Sequence, residues 1–328
     1  MPVFERIRRV RGIRSASVDT KVRIGTVTLP NPVMPASGTA GHSTELSAYL
    51  DLSKLGAFVT KSLAHFPWEG NPAPRVHSNG AAMINSVGLQ GPGVGQWLDD
   101  GYLKLRQANV ERIVVSIWGR NAEDYQTAAK MLSECDVDVV AVEINLSCPN
   151  LDGGKHLFAH DAEVSAEVVE RCGIAQRPVW AKLSPNTDRL VAVAGAVRQA
   201  GAEAVTLTNT LLGMMIDVDR RVPVLGGGGG GVSGAAIHPV AVRAVYDCAG
   251  EHPDLPIIGV GGISCARDAV EFVLAGASAV QVGTASFGNP RACQSVLDGM
   301  VEWCEQHQVT SISELCGGAN DRINSDRR

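Results

Sequence analysis

The sequence predicts an α/β protein, a (β/α)8 TIM barrel with a short N-terminal β-hairpin. Three observations predict it. Eight short apolar runs alternate with segments of helical spacing, without an internal break. Polar side chains collect at the C-terminal ends of those runs, where an α/β barrel keeps its chemistry. Gly261-Gly262 follows the seventh run and Gly283-Thr284 the eighth; a doubly wound sheet would instead carry its glycine fingerprint in the first strand–turn–helix.

Taken in order, residues 22–35 read as the hairpin. Val22 to Leu29 alternates, and Pro30-Asn31-Pro32 turns it. The small residues Pro35-Ala36-Ser37-Gly38-Thr39-Ala40-Gly41 follow and permit close backbone approach to a flat ligand. Ala57 to Lys61 reads as the first barrel strand, with Lys61 and Ser62 at its end. An extended proline-rich loop, Gly70 to Arg75, leads to a short second strand, Ala82 to Asn85, and then to Ser86-Val87-Gly88-Leu89-Gln90. A helical pattern spans Gly95 to Ala108. Strand three is Ile113 to Ile117, the next helix Ala122 to Cys135, and strand four Val137 to Ile144. A polar loop, Leu151 to Phe158, contains Gly153-Gly154, and helix Ala162 to Cys172 follows it. Strand five, Pro178 to Leu183, ends in Lys182-Leu183-Ser184-Pro185. Helix Arg189 to Gly201 then leads to strand six, Ala204 to Asn209, which ends in Asn209-Thr210. The segment Leu211 to Ser233 reads as a long loop. Its run Gly226 to Gly231 has the composition of a flexible linker, but its place between strand and helix suggests an active-site lid. Helix Pro239 to Ala249, strand seven (Pro256 to Val260), helix Ala266 to Ala275, strand eight (Ala277 to Val282) and helix Pro290 to His307 complete the chain.

The expected layout is an Arg-rich arm over 1–21, one barrel domain over 22–316 and a disordered tail over 317–328. The 328 residues suit one large barrel. A formal charge of −5 gives no reason to expect nucleic acid. Eight cysteines are scattered singly, with no C-x-x-C, which argues against a zinc or iron–sulfur site within the chain and for reduced thiols in the cytoplasm. No run of apolar residues is long enough for a membrane span.

The stretch Asn145-Leu146-Ser147-Cys148-Pro149-Asn150 ends strand four with two amides, a hydroxyl and a thiol. Paired amides can grip a planar ring along its edge, and Cys148 is the one residue there able to take a proton near neutral pH. On the same rim stand Lys61, Asn85, Lys182, Asn209 and Thr210, with no histidine or carboxylate at a strand end beside them. That disfavours a hydrolase built on carboxylates or a Ser/His/Asp set. Gly261-Gly262 and Gly283-Thr284 lie where barrels form a phosphate site from backbone N–H groups; ordinary turn glycines are the alternative. One phosphate site and one weak base suggest proton abstraction coupled to hydride transfer to FMN, not to a dinucleotide. Lys182 then either stabilises charge on a reduced flavin or pairs with a neighbouring carboxylate.

At these residues the chain is similar to the dihydroorotate dehydrogenases. The resemblance runs from about Pro30 to Pro290 through Pro35–Gly38, Gly70–Arg75, Asn85–Leu89, Asn145–Asn150, Lys182–Pro185, Asn209–Gly213, Val232–Gly234, Gly259–Gly262 and Val282–Thr284. It implies oxidation of dihydroorotate to orotate, with Cys148 removing the C5 proton as the C6 hydride passes to FMN. It implies that Lys61, Asn85, Gly88, Leu89, Asn145, Asn150, Asn209 and Thr210 hold the substrate. Ala36, Ser37, Gly38, Lys61, Ser62, Asn145, Lys182, Gly234, Gly261, Gly262, Gly283 and Thr284 would line the cofactor. Cys148, Gly153-Gly154 and Asn209–Gly213 resemble the soluble NAD-linked branch. That branch implies a homodimer joined by an electron-transfer subunit carrying FAD and a [2Fe–2S] cluster, as a heterotetramer. The homodimeric fumarate-linked branch, or an FMN-dependent reductase of another pyrimidine, is the alternative; a non-catalytic FMN-binding barrel is the reading from a different class. Ser116 departs from the family's usual Asn, and the Gly226–Gly231 run replaces a more varied segment.

Overall fold

The computed structural model describes residues 18–80, 82–147 and 158–320. Strands β1 (Val22–Ile24) and β2 (Val27–Leu29) form an N-terminal hairpin, as expected, but it turns at Gly25-Thr26 and not at Pro30-Asn31-Pro32. Gly25 holds φ at +58°, a conformation glycine adopts without strain. Glu203 pins the turn, accepting from the Thr26 N–H and hydroxyl at 2.7 Å each.

The barrel begins at β3 (Val33–Pro35), one strand earlier than the sequence suggests. Residues 33–35 were expected to end the hairpin; instead they pair in parallel with the last barrel strand. The next barrel strand is β4 (Phe58–Val59). The expected second strand, Ala82 to Asn85, is not in the barrel. Its residues Met83–Asn85 form β6, which pairs antiparallel with β5 (Val76–Ser78) above the barrel mouth. Strands β7 (Ile113–Ile117), β8 (Ala141–Asn145), β9 (Val179–Lys182) and β10 (Ala204–Leu207) continue the parallel sheet. Strand β8 starts at Ala141 instead of Val137, because residues 137–140 are spent rising from the preceding helix.

The segment read as one long loop is also built. It contains β11 (Leu211–Gly213), β12 (Ile216–Asp217), β13 (Val222–Pro223) and β14 (Gly230–Ser233). Strand β14 lies between β11 and β6, completing a four-stranded antiparallel roof in the order β11-β14-β6-β5. The glycines make that packing possible. A Cβ at Gly230 would collide with the carbonyl of Asn85, and one at Gly231 would collide with Thr210 Oγ1 and lie 2.7 Å from its Cβ. Strands β15 (Ile257–Val260) and β16 (Ala279–Val282) close the eight-stranded sheet. At its seam the Gly56 N–H donates to Val33 O at 2.9 Å, bringing β3 beside β4.

Helices cover the outside. Their starts follow ordinary capping chemistry: Asn121 and Asp161 accept from the first-turn N–H groups of Ala122–Ser133 and Ala162–Cys172. Packing continues past the expected domain end at 316. Asn320 is fully buried, and its amide donates to Tyr246 O and Ala275 O. Of the expected arm over 1–21, residues 1–17 lie outside the described residues, while Asp19 is bridged to Ser311 and so belongs to the folded domain. No helix among the described residues is long and apolar enough to cross a membrane.

Period-two alternation explains the barrel's interior. Val114, Ala141, Trp180, Ala204, Ile258 and Ala279 point inward near the strand starts and pack against Val22, Ile24, Val27 and Leu29 of the hairpin. The hairpin thus plugs the N-terminal mouth. Two residues on, the inward positions become Ser116, Glu143, Lys182, Thr206 and Gln281, all buried. The barrel therefore changes from apolar to polar along its axis, and its open end is the C-terminal one.

Candidate active site

Between the barrel rim and the antiparallel roof lies a cavity of about 830 Å³. The strand ends deliver its floor and walls: Ala36, Ser37 and Gly38 after β3, Lys61 and Ser62 after β4, Asn145 from β8 and Lys182 from β9. Asn209 and Thr210 follow β10, Gly261 and Gly262 follow β15, and Gly283 and Thr284 follow β16. The roof adds Asn85, Gly88, Leu89 and Gly234. All the described residues expected at the site therefore line one cavity. Cys148 and Asn150 lie outside the described residues, as do Gly153 and Gly154.

The amides form a connected edge. Asn209 Nδ2 donates to Asn145 Oδ1 at 3.1 Å, and Asn145 Nδ2 donates to Ser62 Oγ at 3.3 Å. Tyr125, wholly buried, donates its hydroxyl to Asn145 O at 2.6 Å and so holds the strand end in place. Ser62 Oγ also meets Ser37 Oγ at 3.2 Å and Ser116 Oγ at 2.9 Å. Ser116 is thus a buried prop beneath Ser62. From the roof, Asn85 Nδ2 donates to Gly231 O at 3.3 Å, which ties Asn85 to the glycine strand.

Below this edge Lys182 lies on a buried network. Its Nζ is 3.7 Å from Glu143 Oε1 and 3.4 Å from Gln281 Oε1. Gln281 Nε2 and Thr206 Oγ1 donate to Glu143 Oε2 at 2.7 and 3.0 Å. Lys182 therefore pairs with a carboxylate, as one reading of the sequence expects, and it also lines the cavity. A charge so deep in the barrel persists only because it is paired and hydrogen-bonded.

At the opposite end, Gly261 and Gly262 hold φ of +142° and +70°, conformations that a side chain would strain. Thr284 Oγ1 donates to Ser233 Oγ at 2.8 Å. The backbone N–H groups of Gly262, Gly283 and Thr284 donate to no acceptor among the described residues. Such a cluster of unused donors suits an anion.

Sequence reasoning missed several wall residues. Trp118 directly follows β7, and the strand-end rule that found Lys61 applies to it as well. Trp68 sits in an irregular loop with no sequence pattern to mark it. Its Nε1 donates to Gly88 O at 3.0 Å, and its ring meets Trp118 edge-on at 6.1 Å. Ser147 and Thr208 line the cavity with buried hydroxyls that have no partner among the described residues. No described cysteine lines it. Burial pushes the Cys248 and Cys293 thiols up to about 12 and raises that of Cys172, so these three are inert filler. His42, packed beside the Lys61 segment, is pulled down to about 4 by burial first and by Lys61 second, with Glu45 opposing.

Comparison with known proteins agrees with this geometry. The family model for dihydroorotate dehydrogenase matches residues 19–303. The catalytic subunit of dihydroorotate dehydrogenase B (NAD(+)) from Alkaliphilus metalliredigens is 46% identical over 301 residues, covering 92% of this chain and 98% of that protein. Its counterpart from Trichlorobacter lovleyi is 45% identical over 297 residues, covering 90% and 97% respectively.

Proposed function

The chain belongs to the dihydroorotate dehydrogenase family, and from that premise we propose that it converts (S)-dihydroorotate to orotate in de novo pyrimidine biosynthesis, using FMN and a partner subunit that carries electrons to NAD. As a member of the family it is an oxidoreductase acting on dihydroorotate. The observation that carries the finer reading is the single cavity in which an edge of amides, two lysines and a cluster of unused N–H donors converge.

The residues present fit FMN. The cavity is of ligand size, Ser147 and Thr208 offer buried hydroxyls without partners among the described residues, and the N–H groups of Gly262, Gly283 and Thr284 suit one phosphate. Ala36, Ser37, Gly38, Lys182 and Gly234 would hold the remainder. When bound, FMN supplies the hydride acceptor. The protein's own groups do the rest. Asn85, Asn145, Asn150, Asn209 and Thr210 orient the pyrimidine ring through its amide edges, and Lys61 offsets the carboxylate charge. Cys148 Sγ takes the C5 proton. Lys182, its charge secured by Glu143, favours negative charge developing at its end of the cavity. Roof and rim together exclude water from the reacting carbons.

The partner reading rests on the relatives, which are named catalytic subunits, and on the wide spacing of the cysteines, which leaves no cluster motif in this chain. The test is turnover. With dihydroorotate and an artificial electron-accepting dye, the purified chain is expected to form orotate, and heat is expected to release FMN. NADH should appear only after an iron–sulfur flavoprotein partner is added. Absence of orotate with the loaded enzyme refutes the substrate, and NADH formed by the chain alone refutes the partner.

A further inference from the structure

Among the described residues, the anion end of the cavity has no charged side chain of its own. Gly234, Gly261, Gly262, Gly283 and Thr284 offer backbone and one hydroxyl. Directly behind it stands His238, the first residue of helix His238–Glu251. Its side chain is only 14% exposed. Its Nδ1 lies 3.2 Å from Gly261 O and its Nε2 lies 3.1 Å from Glu271 Oε2. The ring meets Phe272 edge-on at 5.3 Å, which fixes its plane. The turn presses against it: a Cβ at Gly262 would lie 2.7 Å from His238 Cβ.

Both partners of the ring, a carbonyl and a carboxylate, only accept hydrogen bonds. The ring therefore bridges the Gly261 carbonyl and the Glu271 carboxylate. The Gly261–Gly262 peptide is trans, since the cis bonds among the described residues are Ala73-Pro74 and Leu207-Thr208. A trans peptide carries its N–H on the edge opposite its carbonyl. With Gly261 O drawn to the ring, the Gly262 N–H is turned away from it, toward the cavity that Gly262 lines.

We infer that His238 is a positioning residue for phosphate recognition: held by Glu271, it fixes the Gly261 carbonyl and aims the Gly262 N–H at the phosphate. Polarisation through the peptide strengthens that donor, as in any hydrogen-bonded chain. The ring does not touch the ligand; it acts through one backbone unit. The inference rests on the reading that the cavity holds FMN.

The experiment compares two flavins that differ only in the phosphate. Full-length apoprotein is titrated with FMN and with riboflavin, following quenching of flavin fluorescence, for the native chain and for H238Q, H238A and E271Q. H238Q is expected to weaken FMN about tenfold, the scale of misaiming one charge-assisted hydrogen bond to the phosphate, and H238A by more. E271Q, which loosens the hold on the ring, is expected to weaken FMN in the same direction by roughly threefold. Riboflavin affinity is expected to stay unchanged in every variant. Unchanged FMN affinity in H238Q and E271Q overturns the inference, as does an equal loss for both flavins, which marks a purely structural role. If the native apoprotein binds FMN no more tightly than riboflavin, the cavity recognises no phosphate. In that case the FMN reading fails, and the inference with it.

Discussion

Replacing Glu143 with Gln tests how the barrel keeps a charged lysine at the base of its cavity. Glu143 is wholly buried and Lys182 nearly so, with 3.7 Å between Oε1 and Nζ. At that separation and an effective dielectric of about 20 the attraction is about 4 kcal/mol. Removing one partner of a buried pair leaves the other charge uncompensated, and such losses run to about 3–5 kcal/mol. The two estimates agree, so E143Q is expected to lose roughly 3–5 kcal/mol, a fall in Tm of roughly 5–10 °C for a chain of this size. With its amide oxygen accepting from Thr206 and Gln281, the new side chain of E143Q would turn its N–H₂ toward the Lys182 ammonium, which adds to the loss. The assay is urea unfolding of E143Q, K182M and the double variant. Removing both charges relieves the uncompensated one, so the double variant is expected to lose less than the sum by about 2 kcal/mol or more. A loss under about 1 kcal/mol in E143Q, or strict additivity, would refute the view that Glu143 holds the Lys182 charge.

Four further outcomes follow from the site. Cys148→Ala is expected to slow flavin reduction by roughly 10²–10⁴-fold while FMN stays bound, measured by anaerobic rapid mixing; an unchanged rate contradicts the base assignment. Lys61→Ala, which removes a charge-assisted contact, is expected to weaken orotate binding by roughly 10–100-fold with little change in FMN content, checked by spectral titration. Gly231→Ala forces Thr210 aside, since the new Cβ would lie 2.7 Å from Thr210 Cβ. It is expected to cost about 1–3 kcal/mol and to raise KM for dihydroorotate, and a normal KM would show that Thr210 does not need its present place. His42 is held near 4 against an ordinary 6.5. The unfolded chain therefore binds its proton first as pH falls. Its contribution to stability is complete above 6.5 and is lost as pH drops through about 4. His42→Gln is expected to flatten stability across that window in urea unfolding.

Much of the barrel was legible because its strands end in polar groups and its helices keep a helical period. Where side-chain pattern was absent, the reading slipped. Strand β3 is three buried residues between prolines, too short to show a period, so it merged with the hairpin before it. Strand β14 is half glycine and presents no alternation at all; only the packing against Asn85 and Thr210 reveals why side chains are excluded there. Met83–Asn85 does look like a strand and is one, but composition does not say which sheet a short strand joins. The site fared better than its roof. Lys61, Asn145, Lys182 and Asn209 each stand at a barrel strand's end, so finding the strand located the residue. Glu143 follows from parity: it lies two residues before Asn145 on the same inward face, facing Lys182 from the next strand. Trp68 and His238 act through backbone carbonyls brought together by the fold, and no local spacing encodes that.

The most direct measurement is an anaerobic titration of the purified chain with L-dihydroorotate, recording the visible flavin spectrum. The account predicts a yellow protein whose flavin band bleaches in proportion to added substrate until about one equivalent per flavin has been consumed, with orotate as product. A yellow protein that keeps its colour through excess dihydroorotate would contradict the assignment of substrate to this cavity.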